Sequence, residues 1–184
     1  MRTAAVILAA GASTRFGSPK QVARFGEQTM LEAVIEIARS ANLEPIVVVG
    51  RPDAALPADV TLVPNDAPQL GLSRSLRLGL RAMPADVSAA VILLGDQPTL
   101  PASSIAAIVE ARGERPIVAA SARGLLAPPV LVERSQFGIA DGLSGDIGLR
   151  KILAGHPDLV TAVEVGAHAP DVDTPAGLAA LGRE

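Results

Sequence analysis

The sequence contains no cysteine. That excludes disulfides, thiolate nucleophiles and cysteine-based zinc or iron–sulfur centres. Aromatic residues make up only 2% of the chain, whereas apolar residues make up 49%. The core must therefore be Ala, Val, Leu and Ile, a composition that suits strands buried on both faces of a sheet. No excess of either charge is present: 16 basic residues nearly balance 19 acidic ones, the formal net charge is -3, and the basic residues are scattered. Without a Lys/Arg stripe or an aromatic platform, nucleic acid is not an expected partner, although a small anion held locally is. No apolar run reaches the length needed to span a bilayer. "MRTAAVILAAG" is too short and lacks the cleavage site of a secretory leader. The expectation is a soluble, cytoplasmic protein with no membrane partner. At 184 residues the chain fits one domain that buries its core without covalent staples.

Apolar runs bounded by turns recur along the chain. "AAVILAA" (4–10), "PIVVVG" (45–50), "VTLVP" (60–64) and "AAVILLG" (89–95) show no polar alternation and read as strands buried on both faces. "RPIVAA" (115–120) and "LVTAVEV" (159–165) are weaker strand candidates. Helical periodicity lies between them. In 30–41, Leu31, Val34, Ile35 and Ala38 share one face, and in 72–83, Leu72, Leu76 and Leu80 recur every fourth residue. Shorter helices are expected over 104–113, over 147–155 with Asp146 as its cap, and over 174–182 behind a Thr-Pro start. Alternating strands and helices predict a three-layer α/β domain with a mostly parallel sheet. Residues 121–165 are less regular. Pro128 and Pro129 are unsuited to a central strand, so an insertion or lobe closing over the strand ends is expected there.

The first strand runs into "LAAGASTRFGSPKQ" (8–21), which lies at the ligand-binding edge of such a sheet. Gly11 lets the backbone turn, small residues at 12 and 13 let N–H groups approach an anion, and Arg15 and Lys20 supply charge for phosphate oxygens. The stretch matches neither the Walker loop, since Gln21 follows Lys20, nor the dinucleotide fingerprint, since position 13 is Ser. The plainer reading is a tight strand–helix turn with exposed charges. Two cations in one loop favour phosphate.

Asp96 follows the buried run 89–95, where a partly desolvated carboxylate requires a cation or N–H donors. "Asp-Gln-Pro" is equally a turn former. Asp171 and Asp173 alternate in "PDVDTP" (170–175), so an extended backbone points both the same way. One of them together with Asp96 suits Mg²⁺, which takes oxygen ligands alongside phosphates; Asp173 is alternatively a helix cap. In 64–76, Asn65, Ser73 and Ser75 are available to a base or ribose, and the serines are equally ordinary residues of a helix start. His156 and His168 are isolated, and no His/Ser/Asp set stands out.

Taken together, "LAAGASTRFGSPKQ", "LLGDQP", "LGLSRSLRLGL", "LSGDIGLR" and "DVDTP" resemble the molybdenum cofactor cytidylyltransferases, within the wider nucleotidyltransferase superfamily. The resemblance covers nearly the whole chain and implies a Rossmann-like nucleotidyltransferase fold. It implies one NTP transferase domain over 1–184, with 1–120 as the nucleotide-binding part and 121–184 as the acceptor side with the second metal-ligand segment. The implied reaction is transfer of CMP from CTP to the terminal phosphate of molybdopterin or molybdenum cofactor, with pyrophosphate released. Leu8, Ala9 and Ala10 open the implied nucleotide loop. Gly11, Ser13, Arg15, Gly17 and Lys20 are the implied triphosphate contacts, and Asp96 and Asp173 the implied Mg²⁺ ligands. Lys20, Arg15 and Asp96 are the implied catalytic residues. Ala10, where guanylyltransferase relatives usually carry a second glycine, and "GLSRSL" favour CTP over GTP. Transient contact with a molybdoenzyme or its chaperone is also implied. The family often has Gly-His-Pro-Val on the acceptor side, whereas this chain reads "GLLAPPVLV", with Ala127 and Pro128 in place of the Gly-His pair. The alternatives are a GTP-dependent cofactor guanylyltransferase, a sugar-phosphate nucleotidyltransferase, or a non-catalytic nucleotide or cofactor carrier.

Overall fold

Residues 4–8 carry only apolar side chains, and they form the fully buried length of β1 (Arg2–Leu8). The fold is that of a computed structural model, which describes residues 2–11, 16, 20–145 and 149–181. A small antiparallel ribbon of β2 (Arg24–Phe25) and β3 (Gln28–Thr29) leads into α1 (Met30–Ser40). A reciprocal cap starts that helix: Glu32 N–H donates to Thr29 Oγ1 at 3.2 Å, and Thr29 N–H donates to Glu32 Oε2 at 2.6 Å. The chain continues through β4 (Ile46–Gly50), β5 (Val60–Pro64), α2 (Leu72–Arg81), β6 (Val87–Leu94) and α3 (Ala102–Glu110). It then forms β7 (Ile117–Ala122), β8 (Leu125–Glu133), α4 (Leu149–Gly155), β9 (Val160–Glu164) and α5 (Pro175–Leu181).

Seven strands form one sheet in the order β5-β4-β1-β6-β8-β7-β9. β1 pairs in parallel with β4 and β6, β4 with β5, and β7 with β9; β8 alone is antiparallel to its neighbours. Side chains alternate across the sheet with the twofold period of a strand. Ala5, Ile7, Val48, Val91 and Leu93 face one layer with Leu31, Val34, Ile35 and Ala38 of α1 and Ile105 and Ile108 of α3. Ala4, Val6, Val47, Val49 and Ile92 face the other, with Leu76 and Leu80 of α2 and Ile152 and Leu153 of α4. The predicted three-layer α/β architecture is present, and each predicted strand and helix overlaps an observed one.

Two expectations are corrected. The run 60–64 is not buried on both faces: β5 is the edge strand, with Thr61 and Pro64 exposed. Residues 121–165 do not form an inserted lobe: β8 lies inside the sheet, between β6 and β7. Pro128 and Pro129 are accommodated because the ladder skips them. β6 pairs with β8 only from Val130 onwards, and the β7 register jumps from Val130 to Ala127. A proline in a sheet is tolerated where no partner requires its missing N–H. The expected cap Asp146 lies outside the described residues. Among the described residues no helix is long and apolar enough to cross a membrane.

Candidate active site

From β1 the chain steps outward to β4 and β5, then returns to β6 on the other side of β1. That reversal opens a crevice beyond the carboxyl ends of β1 and β6, where ligands bind in open α/β sheets. The two strand ends are held together by Gly95, whose N–H donates to the Leu8 carbonyl at 3.0 Å. A Cβ on Gly95 would stand 2.9 Å from Ala9 Cβ, so only glycine permits this approach. Leu8, Ala10, Gly11, Lys20, Ser75 and Asp96 line a cavity of about 400 Å³ at this point. Ala9 faces the opposite layer, among the residues packed by α1.

Lys20 lies at the centre of the charged groups. Its Nζ donates to Asp96 Oδ2 at 2.6 Å and to Asp173 Oδ1 at 3.0 Å. The Lys20 side chain is only 12% exposed and that of Asp96 20%, so these charges are less screened than surface pairs. Burial lowers the Lys20 pKa, but the hydrogen bonds and charges of Asp96, then Asp173, outweigh it, and the net value is raised above that of an ordinary lysine. The ammonium stays charged throughout the physiological range.

Asp96 and Asp173 are 77 residues apart, and an irregular segment brings them together. After β9, residues 166–173 run without regular structure across the end of β6. Val172 N–H donates to the Asp96 carbonyl at 3.0 Å, and the side chains of Ala169 and Val172 are buried. Gln97 Nε2 donates to the Ala169 carbonyl at 3.2 Å and to Asp171 Oδ1 at 2.9 Å. Asp173 thus faces Lys20, while Asp171 is engaged by Gln97. Thr174 Oγ1 accepts from Gly177 N–H at 3.1 Å and caps α5.

Of Asn65, ahead of α2, and Ser73 and Ser75, in its first turn, only Ser75 lines the cavity. Asn65 is 1% exposed; its Nδ2 donates to Ser75 Oγ, and its Oδ1 accepts from Ala67 N–H and from Arg74 Nε. Ser73 is buried and donates to the Gly145 carbonyl at 2.8 Å. Asn65 and Ser73 therefore shape the cavity wall through protein contacts. Ser13, Arg15 and Gly17 lie outside the described residues. Gln97 was legible in the sequence only as part of a turn; its signal is a polar side chain directly after the Asp that ends a buried strand.

Among the described residues no group of three or more His, Cys, Asp or Glu side chains converges. The Asp96 and Asp173 carboxylates do come together, with the Lys20 ammonium bonded to both. Two hard oxygen donors suit a divalent ion that fills its remaining positions with water and phosphate oxygens. A second cavity, of about 500 Å³, adjoins the first by sharing Leu72 and Leu94. Ala127, Pro128, Arg150, Lys151 and His168 line it.

A mostly parallel seven-stranded sheet with a charged crevice at its switch point defines an α/β nucleotidyltransferase fold. Residues 5–160 match the MobA-like NTP transferase domain, and the chain belongs to that family. It is 29% identical to purine catabolism protein PucB of Bacillus subtilis over 92% of this chain and 91% of that protein. It is 33% identical to the 2-C-methyl-D-erythritol 4-phosphate cytidylyltransferase of Streptomyces coelicolor over 60% of this chain, and the match spans 46% of that enzyme. The structure of Rv0371c from Mycobacterium tuberculosis H37Rv in complex with manganese superimposes with a TM-score of 0.81 at 25% identity, covering 100% of this chain and 99% of that one.

Proposed function

We propose that this nucleotidyltransferase-family protein transfers CMP from CTP to the terminal phosphate of molybdopterin or molybdenum cofactor. The observation that carries the reading is the convergence of Lys20, Asp96 and Asp173 at the mouth of the cavity reached by Leu8, Ala10 and Gly11. An acceptor phosphate oxygen attacks the α-phosphorus of CTP in line. A new P–O bond forms, the bond to the bridging oxygen breaks, and pyrophosphate leaves with the electron pair. A phosphate monoester is already nucleophilic near neutral pH, so the protein supplies position and charge rather than a base.

Each residue has a role in this reading. Gly11, with Ser13 and Gly17, offers backbone donors to the triphosphate. Lys20 and Arg15 neutralise the departing pyrophosphate. Asp96 and Asp173 hold Mg²⁺, which supplies charge neutralisation on phosphate oxygens when bound; the family relative's manganese complex supports a divalent ion of this kind. Ser75 faces the ribose or base, with Asn65 and Ser73 fixing the loop behind it. Residues 1–120 form the nucleotide part and 121–184 the acceptor side. In support, the first cavity is lined from within 8–96 and the second largely from within 127–171.

A second reading keeps the chemistry and changes the acceptor. Where the molybdenum cofactor enzymes carry a Gly-His pair, Ala127 and Pro128 line the second cavity. The basic side chains Arg150 and Lys151 there suit an anionic acceptor of another scaffold. Pyrophosphate release from each of the four NTPs, against molybdopterin-type and sugar-phosphate acceptors, tests both. CTP with molybdenum cofactor alone supports the first reading; activity confined to GTP refutes the base assignment; CTP binding without release under any pairing identifies a carrier.

A further inference from the structure

Gln97 is the most thoroughly buried polar side chain beside the acidic pair, at 4% exposure, and the reaction described above gives it no part. Its two amide atoms are in unequal positions. Nε2 donates to two acceptors, the Ala169 carbonyl at 3.2 Å and Asp171 Oδ1 at 2.9 Å. Oε1 is buried and has no partner. Both neighbours of Nε2 are acceptors, so the amide orientation is fixed by chemistry: the flipped amide would set oxygen against oxygen. A buried acceptor without a donor costs free energy that an apolar side chain of the same shape would not incur. The amide is therefore explained by what its amino half holds.

It holds the segment that delivers Asp173. Residues 166–173 have no helix or strand to fix them, and α5 begins only at Pro175. The segment is attached to the end of β6 by the Val172 N–H to Asp96 carbonyl bond, the two Gln97 bonds and the burial of Ala169 and Val172. Gln97 immediately follows Asp96, so one short stretch of backbone presents one carboxylate and grips the loop bearing the other.

We infer that Gln97 is a positioning residue for the Asp96–Asp173 pair: through Asp171 and the Ala169 carbonyl it sets the separation of the two carboxylates, and so the affinity for a divalent cation. In this arrangement Asp171 acts as a hydrogen-bond acceptor and not as a metal ligand. The inference rests on the assignment of Asp96 and Asp173 as the cation site, and the experiment separates the two.

The test is Mn²⁺ binding to the full chain without nucleotide, followed by the electron paramagnetic resonance of the free ion. Variants are Gln97→Met, Asp171→Ala, Asp171→Asn, the Gln97→Met/Asp171→Ala double variant and Asp173→Asn. Gln97→Met is expected to weaken Mn²⁺ binding about fivefold to tenfold, the scale of one or two lost hydrogen bonds. Asp171→Ala is expected to weaken it by a smaller factor, and Asp171→Asn, which keeps an acceptor oxygen towards Nε2, to restore most of the loss. The double variant should be no weaker than Gln97→Met alone. Asp171 is exposed, so its variants keep the test valid even if Gln97→Met fails to fold. Wild-type affinity in Asp171→Ala, or an Asp171→Asn protein as weak as Asp171→Ala, overturns the inference while Asp173→Asn still loses Mn²⁺. Unchanged binding in Asp173→Asn overturns the cation site itself.

Discussion

Lys20 Nζ lies 2.6 Å from Asp96 Oδ2, a bond that joins the loop after β1 to the loop after β6 across the crevice. With Asp173 Oδ1 at 3.0 Å, the ammonium balances two carboxylates that would otherwise repel each other. The loop after β1 is thereby tethered to the acidic pair through the Lys20 side chain.

This tether has a predicted pH signature. The Lys20 pKa is raised in the folded protein, with the acidic partners outweighing burial. A raised lysine pKa contributes stability that is fully present below the unfolded value and is lost as pH rises through the folded one. Lys20→Met should therefore be less stable than wild type by a constant margin between pH 7 and 9 in urea titrations. The margin should shrink only above about pH 10.5. A margin that disappears between pH 7 and 9 would contradict the pairing. The same variant should fold and bind CTP more weakly by calorimetry.

Gly95→Ala tests the join between the strand ends. The added methyl meets Ala9 Cβ at 2.9 Å and the Leu8 carbonyl oxygen at 3.4 Å, neither of which swings aside. Overpacking of this kind costs about 1–3 kcal/mol. The expected result is a lower urea midpoint together with a raised KM for CTP, because β1 and β6 both carry the cavity wall. A variant as stable as wild type would show that the strands separate freely.

Ser75 and Asn65 form a coupled pair. Ser75→Ala leaves the buried Nδ2 of Asn65 without its acceptor at 3.0 Å, a loss of about 1–3 kcal/mol. The KM for CTP is expected to rise several-fold with a smaller change in kcat, the pattern of lost ground-state binding. A fall in kcat alone would place Ser75 at the reacting phosphate instead.

The fold was readable where one period dominated. The buried runs ending at Leu8, Gly50 and Leu94 have no alternation because both faces are covered, whereas β5 lies at the sheet edge with Thr61 and Pro64 exposed; Leu31, Val34, Ile35 and Ala38 of α1 share one buried face. β8 was not readable as a central strand because Pro128 and Pro129 contradict one locally. Only the neighbouring strands reveal that the ladder passes over them. At the site, local motifs indicated Lys20, Asp96 and Asp173 singly. Their meeting depends on the Gln97 and Val172 bonds between segments about 75 residues apart, which no spacing encodes. Asn65 and Ser73 were recognisable as polar residues near a ligand edge, but whether they face ligand or protein was set by packing.

The central claim is that Asp96 is part of a nucleotidyl-transfer centre. The most direct measurement is pyrophosphate release from CTP by wild type and Asp96→Asn, with molybdenum cofactor as acceptor and Mg²⁺ saturating. Asn is close to Asp in shape but lacks the charge that pairs with a cation. The predicted result is metal-dependent release by wild type and a loss of about 100-fold or more in kcat for the variant, the scale of removing a principal electrostatic group. Near wild-type turnover by Asp96→Asn at saturating Mg²⁺ would contradict it.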